Sequence, residues 1–160
     1  MTSNDAVLDS VSQLAATARD SRALMAEIVH RLQRERAHYH WVGFYMLEGD
    51  VLVLGPFIGK PTEHLRIPLN QGICGAAAST GETVVVDDVT ADPRYLACSI
   101  ETRSEIVVPI RRHGVVVGEI DLDSDVPSAF TADDRALLEG VAEIVGAFLG
   151  KNEGTGKSDQ

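Results

Sequence analysis

The apolar positions along the chain change period twice, and each change marks a change of element. Over 5–34 they recur with helical spacing. Val7, Leu8, Val11, Leu14, Ala15 and Ala18 form one stripe, and Leu24, Met25, Ile28, Val29 and Leu32 form a second. The charges of Arg19, Asp20 and Arg22 predict a break into two helices. From residue 38 the pattern turns aromatic and β-branched. Segments 38–47 and 51–58 read as strands joined by the turn Glu48-Gly49-Asp50, an antiparallel hairpin. Pro56 suits a sheet edge or a strand terminus.

Residues 59–72 read as a loop, with Gly59, Pro61, Pro68, Asn70 and Gly72. A short helix is expected from Ile73 through the alanines 76–78 to Gly81, a natural helix stop. Segment 83–86 is a short strand, and 87–104 a long connection of the kind that carries function. A second hairpin joins 106–110 to 115–122 around His113-Gly114. Thr131 caps a final helix, with Asp133 and Asp134 in its first turn. Leu137, Leu138, Val141, Ile144, Val145, Phe148 and Leu149 form its apolar face. Two hairpins between amphipathic termini predict an α+β fold, with a central antiparallel sheet and the terminal helices covering one face.

Strand periodicity then sorts the polar residues. Glu119, Asp121 and Asp123 alternate with Ile120 and Leu122, so the three acids share one strand face. From pattern alone that face is the solvated outside of a half-exposed sheet. Buried, the acids would need a cationic partner, or one would stay protonated and serve as a general acid. Glu105 begins the neighbouring strand and can join them. Trp41, Gly43 and Tyr45 share one face of the first strand, and Val42, Phe44 and Met46 share the core face.

Only two cysteines are present, Cys74 and Cys98. Both read as small buried apolar residues unless their surroundings favour the thiolate. Cys74, in Gly72-Ile73-Cys74-Gly75, sits at a predicted helix start, where the dipole favours one. Cys98 lies in the long connection. His38 and His40 fall on one face of the predicted strand and could join Cys74 or an acid around zinc, but no ligand spacing supports a metal site. Phosphate-loop and nucleophile-elbow patterns are lacking.

The 160 residues suit one domain with its own core. A net charge of −10 argues against nucleic acid and against anionic membrane surfaces. No leader or spanning segment is evident, and two cysteines are too few for a secreted disulfide framework. A cytoplasmic protein is the expectation.

In order along the chain, the segments 41–45 (WVGFY), 52–57 (LVLGPF), 66–68 (RIP), 72–75 (GICG), 97–98 (AC), 104–109 (SEIVVP) and 119–124 (EIDLDS) resemble the free methionine-(R)-sulfoxide reductases, which are stand-alone GAF domains. The resemblance covers about 38–149. It implies a single GAF domain over 1–150, with N-terminal helices 5–34, a core 38–149 and a flexible tail 151–160. A small ligand pocket would lie on the sheet face opposite the helices. It implies a homodimer, no cofactor, and thioredoxin or a similar dithiol as external reductant. Cys98 matches the nucleophile, which attacks the sulfoxide sulfur and becomes a sulfenic acid. Glu105, Asp121 and Asp123 match the carboxylates that hold the free amino acid's ammonium and assist protonation of the departing oxygen. Trp41 and Tyr45 match aromatics that contact the substrate's methyl end.

One departure stands out. The family's usual resolving cysteine precedes the Arg-Ile-Pro segment, where this chain carries Glu63 and His64 in a stretch one residue longer. Cys74 is then the thiol left to resolve the sulfenic acid. An external thiol could do so instead, or turnover could be lost. The alternative functions are a non-catalytic GAF sensor of an amino-acid-like ligand and a cysteine redox switch.

Overall fold

The computed structural model describes residues 2–96 and 100–153. Cys98 therefore lies outside the described residues, as does 154–160, most of the segment assigned to the tail. Helix α1 (Asn4–Thr17) is capped by Ser3, whose side chain accepts from the Ala6 amide at 3.1 Å. The charged break holds the next cap: Asp20 accepts from the Ala23 amide at 2.8 Å and starts α2 (Ser21–Glu35). Strands β1 (Trp41–Glu48) and β2 (Val51–Ile58) form the first hairpin. The loop expected over 59–72 contains a further strand, β3 (Arg66–Pro68), which pairs with Val51–Val53. Then come α3 (Gly72–Thr80), β4 (Val84–Val86), a 3₁₀ turn (Val89–Ala91), β5 (Ser104–Arg112), β6 (Val115–Ser124) and α4 (Ala132–Glu153). Gly81 ends α3 in the left-handed region, φ 73°. Helix α4 runs three residues beyond 150.

The sheet has six strands in the order β3-β2-β1-β6-β5-β4, with antiparallel pairings throughout. Pro56 lies near the end of β2, beyond the stretch Val51–Val53 that pairs with β3, so β2 is locally an edge there. Between the pairs Gly43–Phe57 and Tyr45–Leu54, β2 carries one residue more than β1, so Gly55-Pro56 forms a bulge. A bulge frees a position that cannot donate to the ladder. His113 and Gly114 both take positive φ, 52° and 81°, the backbone of a tight hairpin turn.

Two cores flank the sheet. On one side α1, α2 and α4 bury Val7, Val11, Leu24, Ile28, Leu32, Leu137, Val141 and Val145 against Val42, Phe44, Ile106, Ile120 and Leu122. Asp134 locks this side. It accepts from the Tyr39 hydroxyl at 2.6 Å, from the Thr131 amide at 2.9 Å, and pairs with His38 Nε2 at 3.0 Å. Thr131 Oγ1 accepts in turn from the Asp134 amide at 3.4 Å, a reciprocal cap for α4. On the other side α3 and the β4–β5 connection cover Trp41, Tyr45, Leu52, Ile67 and Val107. Among the described residues, no helix is long and apolar enough to cross a membrane.

Candidate active site

The second core is where the acids lie. Strand register sets Glu105 beside Asp123 across β5–β6, Asp123 beside Trp41, and Glu119 beside Tyr45 across β6–β1. Period 2 then sends Glu119, Asp121 and Asp123 to the side away from the three long helices. The solvated face expected from pattern alone is overturned. Glu119 is 0% exposed, Asp121 and Asp123 3%, and Glu105 5%. The cause is α3, with the connection after β4, folded over that face.

Burial has an electrostatic consequence. Desolvation raises the carboxyls of Glu119, Asp121 and Asp123 above the ordinary range, and Asp121 adds to the rise at Glu119 and Asp123. Both Glu119 oxygens, Asp121 Oδ1 and Asp123 Oδ1 have no hydrogen-bond partner among the described residues. Such a group favours either a bound proton or an incoming cation.

Cys74 is buried in the first turn of α3, and its Sγ donates to Asp121 Oδ2 at 3.2 Å. The sequence argument for a thiolate at this helix start is reversed. Desolvation pushes the thiol up, and the negative charges of Asp121, Glu119 and Glu105 push it further. A helix terminus cannot offset three buried carboxyls.

The aromatic wall is fixed by its own bonds. Trp41 Nε1 donates to the Lys60 carbonyl at 3.0 Å, and the Tyr45 hydroxyl to the His64 carbonyl at 2.7 Å. Trp41 stacks on Tyr45 and on Phe57, with centroids 6.4 and 5.5 Å apart. Phe57 was not singled out from sequence, because the bulge at Gly55-Pro56 decides which β2 residue meets Trp41. Lys60 Nζ pairs with Glu101, linking the loop after β2 to the connection before β5. A cavity of about 20 Å³ is lined by Tyr45, His64, Ile67, Cys74, Leu96, Glu105 and Asp121, among others. That is room for one water-sized occupant.

His38 and His40 do not join this site. Both precede β1 rather than lie on it. His38 is held by Asp134, and His40 Nδ1 accepts from the Asp125 amide at 2.9 Å. His64 does face the acids: it lines the same cavity as Glu105 and Asp121. It occupies the stretch where the family cysteine is missing.

The GAF domain family model matches residues 20–149. A free methionine-R-sulfoxide reductase of Escherichia coli is 37% identical over 123 residues, 76% of this chain and 74% of that one. That of Saccharomyces cerevisiae is 40% identical over 122 residues, 74% of this chain and 67% of that one. The X-ray structure of free methionine-R-sulfoxide reductase from Neisseria meningitidis in complex with its substrate superposes with a TM-score of 0.88 at 36% identity. The match covers 94% of this chain and 91% of that one. With its six-stranded antiparallel sheet, its helical layer and these relatives over most of its length, the chain belongs to the GAF domain family and, within it, to the free methionine-R-sulfoxide reductases.

Proposed function

We propose that the chain reduces free L-methionine (R)-sulfoxide to methionine through a thiol, sulfenic acid and disulfide cycle. The observation that carries this reading is the buried carboxyl set Glu105, Asp121 and Asp123 beside the stacked wall of Trp41 and Tyr45. A free amino acid brings an ammonium that matches the acids and an apolar sulfur end that matches the rings. A methionine sulfoxide inside a polypeptide has no ammonium to offer. The cavity has room for one water-sized occupant, so admitting an amino acid requires its cover to open.

The chemistry then runs in three balanced steps. Cys98, as its thiolate, attacks the sulfoxide sulfur while a carboxyl kept neutral by burial protonates the sulfoxide oxygen. That oxygen ends on Cys98 as methionine leaves. Cys98–SH and the sulfoxide become Cys98–SOH and methionine, a two-electron transfer between the sulfurs. Next, Cys74 passes its proton to Asp121, 3.2 Å away, and displaces water from the sulfenic acid to form a disulfide. An external dithiol of the thioredoxin type then reduces that disulfide. The reading carries with it a homodimer, a cytoplasmic setting and no prosthetic cofactor, all by family resemblance.

The test is methionine release from racemic free methionine sulfoxide with dithiothreitol. Consumption of half the substrate, lost in Cys98→Ser, supports the reading. A Cys74→Ser chain that completes one turnover but fails to cycle with thioredoxin supports Cys74 as the resolving thiol. Sulfoxide binding without methionine release by the wild type overturns it in favour of a sensor.

A further inference from the structure

The cavity under α3 brings together a donor set that no spacing in the sequence reveals. Cys74 comes from α3, Glu105 from β5 and Asp121 from β6. One ligand-capable atom from each lies within 4.8 Å of the other two, and all three residues are buried. His64 and Tyr45 line the same cavity. A second observation points to a cation. Asp121, which lines the cavity, commits Oδ2 to the Cys74 thiol and leaves Oδ1 buried without a hydrogen-bond partner among the described residues. Behind it, both oxygens of the fully buried Glu119 also lack a hydrogen-bond partner among the described residues. Those are unsatisfied acceptor oxygens in and beside a space of about 20 Å³.

We propose that this cavity binds a borderline-soft divalent cation, Zn²⁺ first, through Cys74 Sγ and the carboxylates of Glu105 and Asp121, with His64 as the fourth donor. Zinc takes sulfur at about 2.3 Å and oxygen or nitrogen at about 2.0–2.2 Å, so donors around it stand roughly 3.3–3.8 Å apart. The Cys74–Asp121 pair, at 3.2 Å, is already slightly closer than that edge length. Glu105, whose ligand atom lies within 4.8 Å of the other two, needs to close by about 1–1.5 Å at most, and His64 comes in from outside that group. One thiolate and two carboxylates more than balance the metal's charge. Binding moves the thiol proton, with any proton held by the Asp121 carboxyl, to solvent: Cys74–SH and Zn²⁺ give Cys74–S–Zn⁺ and H⁺. Mg²⁺ and Ca²⁺ favour all-oxygen shells, so the thiolate selects against them. The ion would occupy Asp121 and Glu105, the groups assigned to the substrate's ammonium, and would withdraw Cys74 from resolution. Metal and methionine sulfoxide are then mutually exclusive. The binding site itself does not depend on the reductase reading.

The test uses the full chain, stripped with chelator under reducing conditions and titrated with Co²⁺. The expected result is one equivalent bound with a near-ultraviolet thiolate-to-cobalt charge-transfer band, displaced by one equivalent of Zn²⁺ and not by excess Mg²⁺. Cys74→Ser abolishes the band and Cys98→Ser keeps it. Asp121→Asn and Glu105→Gln each weaken binding at least tenfold, with folding checked by circular dichroism; two variants guard against one failing to fold. Absence of a band, survival of the band in Cys74→Ser, or several weak equivalents displaced by Mg²⁺ would overturn the proposal. The last outcome would put the ion on the acidic surface.

Discussion

Replacing Glu119 with leucine should make the protein more stable. Glu119 is fully buried between β1 and β5, opposite Tyr45 and Pro109, and neither carboxyl oxygen has a hydrogen-bond partner among the described residues. A buried polar group left unsatisfied costs about 1–3 kcal/mol. Leucine removes that cost and places carbon beside the cluster that contains Tyr45, Cys74 and Val107. The expected gain is about 1–3 kcal/mol at neutral pH. For a chain of this size each kcal/mol moves Tm by about 2–4 °C. Urea unfolding followed by circular dichroism gives the free energy, and a scan gives Tm. Glu119→Gln is the control: it keeps the shape and the unsatisfied polar atoms, and should gain much less. A leucine variant that is less stable than wild type, or unchanged while glutamine matches it, would refute the reasoning. It would mean that Glu119 is satisfied by a partner, water or ion.

Three further outcomes are expected. Tyr39→Phe removes the 2.6 Å bond to Asp134 and should cost about 1.5–3 kcal/mol in urea unfolding, since the acceptor is charged. Burial works to raise the Asp134 carboxyl, but bonds from Tyr39, the Thr131 amide and His38 outweigh it and hold it below its ordinary 3.8. Asp134 therefore adds stability above that value and loses it as pH falls further; unfolding curves between pH 5 and 2 should show wild type losing this increment and Asp134→Asn lacking it. Gly146→Ala drives a Cβ into the Arg111 backbone carbonyl where α4 crosses β5, and should cost about 1–3 kcal/mol or more, read as a lowered urea midpoint. Gly43→Ala pushes its methyl into the Trp41 ring, and should raise KM for free methionine sulfoxide more than it lowers stability.

Period-2 spacing made the direction of the chemistry legible. It put Trp41 with Tyr45, and Glu119 with Asp121 and Asp123, on faces opposite the helical core, and β1 and β6 hold them there. The capping residues Gly81 and Thr131 were equally readable, because a cap is a local feature, whereas Asp20 was legible only as part of a charged break. Spacing cannot say what covers a face. The burial of the acids comes from α3 and the β4–β5 connection, which pack there through contacts distant in sequence. The same cover reversed the expected ionisation of Cys74, since a local helix start is outweighed by charges from β5 and β6. Strand β3 was too short for its pattern to show, and His38 and His40 belong to the turn before β1.

The alternation on β6 also bears on how the chain finds its fold. Shifting that strand by one residue against β1 and β5 would turn Glu119, Asp121 and Asp123 toward Phe44, Leu137 and Val141, and expose Ile120 and Leu122 to the other side. Three carboxyls against an all-hydrocarbon layer cannot be hydrated or paired. In the aligned sheet Asp121 accepts from the Cys74 thiol, a bond the shifted strand would lose, so the acids penalise the misaligned sheet more than the aligned one. They act as an address for strand pairing, so that charge, usually a burden on a buried strand, narrows the set of structures the chain can adopt.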